Sequence, residues 1–377
     1  MRRALATVDL GAVEHNCRRL RDALTGDARL CAVVKADGYG HGALDCARAA
    51  LRGGAEVLAV AAAAEATQLR GELGEVPILV MGALSPEELE EAIAADAEIA
   101  VWRDGFAQLV AERAALRGLR PRIHVKYDTG MGRLGERDTE AVLALCDTVS
   151  TEPQLELAAL WTHFATADEP DDSFLREQLQ RFQATADAAR ERYPSLALHA
   201  ANSAATLRNP ASHFDMVRCG VAIYGLDPYG SDPNDHGLRA ALTLRSYVAD
   251  VKHFEPGASA GYGRRWRAER ETWVGVLPIG YGDGWRRALG NTGEVLIGGR
   301  RHPIVGTVSM DNITVDLGPE SEVEPGADAV LIGSQGAESI LAEEVAATLD
   351  TINYEITCAI SARVPREHVL AAKTEPA

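Results

Sequence analysis

The chain has 377 residues, 46% of them hydrophobic and 25% charged, which predicts a globular protein long enough for two domains with cores. The net charge of -17 at pH 7 argues against binding to a phosphate backbone, so no nucleic-acid partner is expected. The longest apolar run, residues 57–64, is too short to span a bilayer, and Arg2 and Arg3 precede no apolar signal-peptide core. Six scattered cysteines without a C-x-x-C pair predict reduced thiols and no metal site. We therefore predict a cytoplasmic protein without a membrane partner.

Short apolar segments alternate with amphipathic stretches between about residues 30 and 225. Eight strands are predicted, at residues 31–35, 57–60, 78–81, 98–101, 122–127, 157–162, 196–200 and 214–218. Helical spacing is clearest at residues 86–95, 105–116 and 173–193. Eight strand–helix alternations predict an α/β fold, a closed (β/α)8 TIM-type barrel with its active groups at the carboxyl ends of the strands.

A turn-rich segment at residues 227–237 interrupts this alternation. We place the domain boundary there, with a barrel over residues 1–230 and a second domain over residues 231–377. Short strands predict a mostly β second domain, at residues 242–251, 272–277, 293–297, 304–308, 313–317 and 329–332, and only residues 339–348 have a convincing helical pattern. The first strand, at about residues 1–10, is a candidate to pair with this C-terminal domain.

Residues 32–42 lead an apolar strand into a glycine-rich turn, with Lys35 at the strand end and Tyr39 four residues later. A lysine in a partly desolvated pocket can condense with an aldehyde, of which pyridoxal phosphate is the obvious one. The glycines permit close approach of the backbone, and Tyr39 can offer its hydroxyl to a phosphate. The alternative is a surface lysine before an ordinary βα turn, which this segment alone favours.

Lys126 alternates with residues expected to point into the barrel, so a permanent ammonium there needs a neutralising partner. Arg133 nearby would increase the repulsion. Carbamylation of Lys126 by carbon dioxide would create an anion able to pair with Arg133. The alternative is a contact between Lys126 and a carboxylate such as Asp128, and the residues alone favour it.

Nine motifs, in the same order, resemble those of the bacterial alanine racemase family over about residues 7–367. They are KADGYGHG (35–42), KYDTGMGRLG (126–135), THFA (162–165), NSA (202–204), VRCG (217–220), YGR (262–264), GYGDG (280–284), SMD (309–311) and YE (354–355). One glycine-rich lysine motif is weak evidence, whereas nine ordered matches across both predicted domains are strong. The resemblance implies a pyridoxal-phosphate-dependent racemase with a barrel, a C-terminal β domain and active sites shared by the two subunits of a homodimer.

The resemblance also implies roles for individual residues. Lys35 matches the lysine that forms an aldimine with the cofactor, and Arg218 matches the arginine that faces the pyridine nitrogen. The positions that hold the cofactor's phosphate are matched by Tyr39, Ser203, Gly220, Val221 and Tyr354. Asn202 matches a further cofactor-binding position. The family carbamylates the lysine that matches Lys126. The resemblance therefore favours carbamylation of Lys126 over a contact with a carboxylate such as Asp128. Arg133 would then point to the cofactor's phenolic oxygen.

Racemisation removes the α-proton from one face of the substrate and returns a proton to the other, so two acid–base groups must flank the carbon. Lys35 matches one of them, and Tyr262 from the neighbouring subunit matches the other. A phenol is a poor base at neutral pH because its pKa is high. Nearby positive charge lowers the pKa of a phenol, and His163 and Arg218 are the candidates to supply that charge. An arginine at the ring nitrogen leaves that nitrogen unprotonated, which implies suppressed transamination.

Three further residues match positions near the substrate, L-alanine or D-alanine. Met310 would meet the substrate carboxylate through its backbone amide beside Arg133, Tyr281 would lie at the entrance, and Asp311 would support that corridor. Turn and packing chemistry is the alternative for Tyr281 and Asp311. A glycine at position 261, where the family usually has serine, is expected to loosen the loop that presents the catalytic tyrosine.

The favoured interpretation is an alanine racemase that supplies D-alanine for peptidoglycan. A broader amino-acid racemase, acting on serine for example, is the nearest alternative. A non-catalytic pyridoxal-phosphate carrier is disfavoured because such proteins lack the second domain. Decarboxylases of similar architecture are disfavoured because Arg218 stands where they need an acid.

Overall fold

The computed structural model describes residues 2–370, which divide into two units. Residues 13–39 and 43–223 form the first, here called the barrel unit. Residues 2–12, 40–42 and 224–370 belong to the second, here called the sheet unit. Over this described part of the chain, no helix is long and apolar enough to cross a membrane.

Eight parallel strands close the barrel unit into a barrel. With Leu5–Asp9 as β1, they are β2 (Arg29–Val33), β3 (Val57–Val60), β4 (Ile78–Val80), β5 (Glu98–Val101), β6 (Arg122–Lys126), β7 (Glu156–Trp161), β8 (Ala197–His199) and β9 (Met216–Cys219). Each strand pairs with the next, and β9 pairs with β2 to close the ring. The predicted (β/α)8 barrel is confirmed, and each of its eight predicted strands is present with small shifts at its ends.

Burial explains the composition of these strands. Every residue of β3, β4 and β5 is buried, as expected for parallel strands that are covered on both faces. A polar residue inside such a strand must therefore find a hydrogen-bond partner within the barrel. This constraint applies to the candidate site residues below.

Helices alternate with the barrel strands, and some of them begin at a side-chain cap. They are Leu10–Asp22, Ala43–Arg52, Ala63–Leu73, Pro86–Ala94, Asp104–Arg117, Thr139–Thr151, Ser173–Arg192 and Ser203–Arg208. At Pro86–Ala94, the Ser85 hydroxyl accepts the Glu88 N–H at 3.2 Å, and the Glu88 carboxylate accepts the Ser85 N–H at 2.8 Å. This reciprocal pair is a capping box, which satisfies two amides that lack partners within the helix.

The sheet unit consists mainly of antiparallel strands. They are β10 (Leu242–Tyr247), β11 (Asp250–Phe254), β12 (Ser259–Ala260), β13 (Trp266–Arg267), β14 (Thr272–Leu277), β15 (Glu294–Ile297), β16 (Arg300–Pro303), β17 (Ile313–Gly318), β18 (Asp328–Gln335), β19 (Glu338–Ile340) and β20 (Arg366–Val369). The largest sheet has the order β16-β15-β18-β10-β1-β20, with β19 on β18, so β1 lies between β10 and β20. Smaller sheets are β11-β14-β17 and β12-β13. The predicted mostly β C-terminal domain is confirmed.

The predicted strand at residues 304–308 is wrong. Ile304 forms only an isolated bridge, with Val315 of β17. Gly306 has φ of 78°, in the left-handed region, so the extended backbone cannot continue through it. The apolar residues of this segment are buried without forming a regular ladder.

The helix predicted at residues 339–348 begins later, at Ala342, and ends at Thr348. Ser339 instead pairs with Ser334 in a hairpin that turns at Gly336, where φ is 66°. A second helix, Asn353–Cys358, is absent from the prediction. With six residues it is too short to display a helical period in the sequence.

Candidate active site

Lys35 lies just beyond barrel strand β2 and begins a turn of left-handed backbone. The φ/ψ angles are 52°/49° at Ala36, 51°/50° at Asp37 and 62°/43° at Gly38, and φ is 53° at Tyr39. The left-handed conformation is less stable by about 1–2 kcal/mol for each residue that has a side chain. Contacts with the surrounding residues must therefore stabilise it. The turn places the centroid of the Tyr39 ring 6.0 Å from Lys35 Nζ.

Two carboxylates hold the left-handed turn in place. Glu65 accepts the Ala36 N–H at 2.6 Å, and its other oxygen accepts the amides that precede the helix Ala63–Leu73. Asp37 Oδ1 accepts the Ala43 N–H at 2.9 Å. These bonds tie both ends of the turn to neighbouring helices, which fixes the direction in which Lys35 leaves the strand.

Tyr39, Ser203 and Gly220 form a small polar cradle at the carboxyl end of the barrel. A Cβ on Gly220 would lie 2.4 Å from the Tyr39 hydroxyl, so any other residue here would force the Tyr39 side chain to move. The Ser203 hydroxyl oxygen accepts the N–H of Gly220 at 3.0 Å and that of Ala222 at 3.4 Å, and Val221 between them is buried. Hydroxyls and adjacent backbone N–H groups are the donors that bind phosphate in proteins. The cradle therefore fits the phosphate of the expected cofactor.

Asn202 contacts the helix that carries Ser203. Its Oδ1 accepts the Ala205 N–H at 3.0 Å, and its backbone carbonyl accepts the Thr206 hydroxyl at 2.7 Å. Asn202 is thus the N-cap of Ser203–Arg208. Its observed contribution is to orient Ser203.

The Arg218 side chain is buried among hydrogen-bond acceptors. Its Nη2 donates to the carbonyl oxygens of Thr162, at 2.8 Å, and Ala200, at 3.0 Å. Its Nη1 lies 2.8 Å from Nδ1 of His199. Burial lowers the pKa of Arg218 to about 10, which still leaves the guanidinium charged at neutral pH.

His163 is held as a neutral imidazole. Its Nδ1 accepts a hydrogen bond from Arg218 Nη2 at 3.3 Å. Burial lowers the pKa of His163 well below its ordinary value, and the charges of Arg218, Arg133, Lys126 and then Lys35 lower it further. The pKa directions therefore favour Arg218 over His163 as the source of positive charge near a catalytic phenol, a role that stays a prediction.

Lys126 is buried close to other cations. Its Nζ lies 4.1 Å from the centroid of the Trp161 ring. Burial, followed by the charges of Arg218 and Arg133, lowers the pKa of Lys126 from 10.5 to about 7. Neutral amine is therefore abundant at physiological pH, which is the form that reacts with carbon dioxide.

Asp128 does not neutralise Lys126 by direct contact. Its carboxylate accepts the backbone N–H groups of Gly130, at 3.1 Å, and Gly132, at 3.0 Å. Its negative charge raises the pKa of Lys126 without offsetting the effects that lower it. Within residues 2–370 no carboxylate lies within ion-pair distance of Lys126 or of the exposed Arg133.

In the sheet unit, Tyr262 is 73% exposed on a short turn. Gly261 has φ of 72°, and a Cβ there would lie 2.9 Å from the backbone nitrogen of Thr307. The Thr307 hydroxyl donates to the Tyr262 carbonyl at 2.9 Å. Gly261 thus permits close packing instead of only loosening the loop, and Thr307 anchors the tyrosine's backbone.

Tyr281 and Met310 lie on two turns of the sheet unit that are joined by backbone hydrogen bonds. The Tyr281 N–H donates to the Ser309 carbonyl at 3.0 Å, and the Gly282 N–H donates to the Met310 carbonyl at 2.9 Å. Both Tyr281 and Met310 have exposed side chains. The structure therefore brings together the two turns to which the sequence assigns substrate contacts.

Asp311 belongs to an ion-pair network that the sequence does not reveal. Its Oδ1 accepts a hydrogen bond from Arg363 Nη2 at 2.7 Å. Beside it, the buried Asp283 accepts two bonds from Arg3, at 2.7 and 3.1 Å, and lies 3.5 Å from Arg363 Nε. The glycine-rich motif around Asp283 does not indicate these contacts, because an aspartate in such a turn commonly serves only the turn.

Tyr354 is half-buried in the helix Asn353–Cys358 of the sheet unit. The preceding residue, Asn353, is buried and donates to Glu343 Oε1 and to the Asp227 carbonyl, both at 2.8 Å. These contacts fix the start of the helix. The backbone of Tyr354 is therefore supported by a buried polar cluster.

The predicted site residues are thus divided between the units. The barrel unit holds Lys35, Tyr39, Lys126, Arg133, His163, Asn202, Ser203, Arg218, Gly220 and Val221, and the sheet unit holds Tyr262, Tyr281, Met310, Asp311 and Tyr354. Within the barrel unit, the electrostatic influence of Lys35, Lys126, Arg133 and Arg218 on His163 shows that these cations share one neighbourhood. Such a neighbourhood favours anionic ligands.

Two family models match the chain, the alanine racemase N-terminal domain over residues 8–228 and the alanine racemase C-terminal domain over residues 241–368. The alanine racemase of Desulforamulus reducens is 40% identical over 368 residues, which cover 97% of this chain and 98% of the relative. The alanine racemase of Geobacillus stearothermophilus is 43% identical over 365 residues, covering 96% of this chain and 92% of the relative.

Solved structures are also similar over nearly the whole chain. The alanine racemase of Streptomyces coelicolor A3(2) superposes with a TM-score of 0.92 at 38% identity, covering 97% of this chain and 98% of that chain. The alanine racemase of Bacillus anthracis with bound L-Ala-P has a TM-score of 0.88 at 38% identity, covering 98% and 95% of the two chains. Both domains are therefore matched in sequence and in fold.

Proposed function

The chain belongs to the alanine racemase family and is an enzyme of the isomerase class, and on this premise we propose that it interconverts L-alanine and D-alanine with pyridoxal phosphate. The observation that carries the proposal is the grouping of Lys35, the Tyr39–Ser203–Gly220 cradle and the buried Arg218 at one end of the barrel. An amine for the aldehyde, a binding site for the phosphate and a partner for the ring nitrogen are the contacts by which proteins hold this cofactor.

The residues present fit pyridoxal phosphate. When bound, the cofactor supplies an electron-withdrawing ring that makes the α-hydrogen of an amino acid acidic. Tyr39, Ser203 and the amide of Gly220 would hold its phosphate, with Val221 and Tyr354 as further contacts. Lys35 would hold it covalently.

Two groups would exchange protons at the substrate's α-carbon, one from each face. The Lys35 amine is the first, and the phenol of Tyr262, supplied by a second copy of the chain, is the second. Tyr262 and Met310 have exposed side chains, which leaves both residues accessible to a second copy of the chain. Active sites shared within a homodimer follow from this assignment.

Arg218 would determine which reaction follows proton removal. Its pKa stays well above neutral in the barrel, so it donates a hydrogen bond without giving up its proton. A ring nitrogen facing it would remain unprotonated and withdraw fewer electrons. Return of a proton to the α-carbon is then favoured over transamination, with neutral His163 keeping the guanidinium in orientation.

Substrate recognition is proposed for Arg133 and the backbone amide of Met310, which would bind the carboxylate. Tyr281 would narrow the entrance, and Asp311 would support it through Arg363. A narrow entrance favours the methyl group of alanine. Supply of D-alanine for peptidoglycan and a cytoplasmic location remain predictions.

The direct test incubates the purified protein with pyridoxal phosphate and L-alanine in deuterium oxide, with Tyr262→Phe alongside. The wild type is expected to form D-alanine with deuterium at the α-carbon, and the variant to lose most of this activity. Cofactor binding without D-alanine, but with racemisation of serine, would support the broader racemase. Cofactor binding without racemisation of any amino acid would favour the carrier.

A further inference from the structure

A continuous series of buried side chains runs through the barrel interior from Arg218, and is here called the interior chain. Arg218 Nη1 lies 2.8 Å from His199 Nδ1, and His199 Nε2 lies 2.9 Å from His124 Nδ1. His124 Nε2 lies 2.7 Å from Glu98 Oε2. The second oxygen of Glu98 accepts a hydrogen bond from Arg122 at 2.5 Å. All of these residues except Arg122 are buried.

The interior chain joins the two ends of the barrel. Glu98 and Arg122 are the first residues of β5 and β6, whereas His199 is the last residue of β8. Arg218 is the next-to-last residue of β9. Because the strands are parallel, Glu98 lies at the amino end and Arg218 at the carboxyl end, where Lys35 follows β2.

The groups at its ends determine the direction of every hydrogen bond in the interior chain. A guanidinium has only donors, so Nδ1 of His199 accepts and the proton of this imidazole is on Nε2. That proton is donated to Nδ1 of His124, whose own proton is then on Nε2, facing the Glu98 carboxylate. Burial, followed by the charge of Arg218, lowers the pKa of His199 well below its ordinary value, as a neutral imidazole requires.

Glu98 supplies the negative end of the interior chain. Burial alone would raise the pKa of Glu98, but the hydrogen bond and electrostatic attraction to His124, followed by the charge of Arg122, lower it overall, so the carboxylate is ionised. Arg218 itself forms no ion pair with a carboxylate of residues 2–370. Since hydrogen bonds in series polarise one another, the charge of Glu98 makes His199 Nδ1 a stronger acceptor for Arg218.

We propose that Glu98, His124 and His199 are positioning residues for Arg218, which act by fixing the orientation and donor strength of its guanidinium from the opposite end of the barrel. The inference rests on the proposed function, in which Arg218 faces the ring nitrogen of the cofactor. A carboxylate remote from the substrate then influences reaction specificity. Loss of the negative charge of Glu98 weakens the hydrogen bond between His199 and Arg218 and increases transamination. In transamination alanine becomes pyruvate, and its amino group remains on the cofactor.

The test compares Glu98→Gln with Glu156→Gln. Both variants remove one carboxylate partner of Arg122, since Glu156 lies 3.5 Å from Arg122 Nε, but only the first removes the negative charge at the end of the interior chain. Glu98→Gln is expected to lower kcat about tenfold, a typical effect within a coupled network, with KM for alanine changed less than about twofold. It should also raise the pyruvate formed per D-alanine, while Glu156→Gln leaves all three quantities unchanged.

A second measurement does not depend on the cofactor. In histidine-selective ¹⁵N spectra of the protein without added pyridoxal phosphate, His199 and His124 should both carry their proton on Nε2. Glu98→Gln should weaken both hydrogen bonds and shift both Nε2–H proton resonances upfield, and Glu156→Gln should not. Glu98→Asp, which is too short to reach His124, provides the same comparison if the glutamine variant does not fold.

The outcomes separate this inference from the proposed function. A wild type that makes no D-alanine contradicts the function, while the ¹⁵N spectra still decide on the interior chain. A wild type that makes D-alanine, with unchanged histidine resonances and pyruvate ratio in Glu98→Gln, overturns the inference alone. A proton on His199 Nδ1 also overturns it.

Discussion

Lys126 offers the most quantitative prediction, because its pKa determines how much reactive amine the barrel holds. With a pKa of about 7, about half of the Lys126 side chains are neutral at pH 7. An ordinary lysine, with a pKa of about 10.4, has about one neutral amine in a few thousand at that pH. The difference between 10.5 and about 7 corresponds to a penalty on the order of 5 kcal/mol for the ammonium form.

The lowered pKa of Lys126 makes the stability of the fold depend on pH. The folded-state pKa of Lys126 lies below the unfolded value, so the unfolded chain binds more protons between about pH 7 and pH 10.5. Stability therefore falls as the pH drops through this window. Lys126→Met removes the charge and keeps the length, so in buffer free of carbon dioxide it should be more stable than wild type at pH 6.5, by up to about 5 kcal/mol. The difference should shrink towards pH 10.5.

The small number of lysines makes a direct assay possible. The sequence contains four, at positions 35, 126, 252 and 373. In ¹³Cε-lysine spectra, the Lys126 resonance is identified by its loss in Lys126→Met and should titrate near pH 7. The exposed Lys252, which pairs with Asp250 outside the barrel, provides a comparison within the same sample.

Carbamylation is tested by adding ¹³C-bicarbonate at pH 8. One carbamate resonance should appear in the wild type and be missing in Lys126→Met, because the carbamate anion replaces an ammonium that is repelled by Arg218 and Arg133. A Lys126 resonance that titrates near pH 10, together with no carbamate resonance, would refute the reasoning.

Three substitutions test individual contacts in the site. Gly220→Ala places a Cβ against the Tyr39 hydroxyl and should weaken binding of pyridoxal phosphate by about 1–3 kcal/mol in an absorbance titration, and unchanged affinity would contradict the cradle. Thr307→Val removes the hydrogen bond to the Tyr262 carbonyl and should lower kcat about fivefold, with Thr307→Ser restoring it; equal rates in all three proteins would exclude this anchoring role. Gly261→Ser forces a side chain into positive φ against Thr307 and should destabilise the chain by about 1–3 kcal/mol in thermal unfolding, whereas an unchanged midpoint would show that the loop relaxes freely.

The barrel could be predicted from sequence because each of its strands is a short, mainly apolar run and these runs alternate with amphipathic stretches. The strand predicted at residues 304–308 failed for a local reason, since Gly306 adopts a positive φ within an otherwise apolar segment. Apolar content indicates burial there, but it does not indicate extended backbone.

The candidate site could be predicted only in part. Motif resemblance identifies Lys35 and Tyr39, but not the left-handed turn between them, because alanine and aspartate at positions 36 and 37 do not favour that conformation. The turn depends on Glu65, a residue distant in sequence that carries no motif of its own. Contacts of this kind are decided by tertiary structure.

The interior chain also had no sequence signal strong enough to predict it. Glu98, His124 and His199 are single polar residues within apolar strands, and such residues are commonly satisfied core residues. Their connection requires three strands of the closed barrel to face one another. Only the three-dimensional arrangement reveals that they form one series ending at Arg218.

The central claim, a two-base racemase with sites shared between subunits, is tested most directly by mixing two inactive variants. Lys35→Ala and Tyr262→Phe each remove one proposed base, so each homodimer should lack racemase activity. After equal amounts are unfolded and refolded together, half of the dimers should be mixed, each with one intact site, and D-alanine formation should return to about a quarter of the wild-type rate. No recovery, although mixed dimers form, would contradict the shared two-base site.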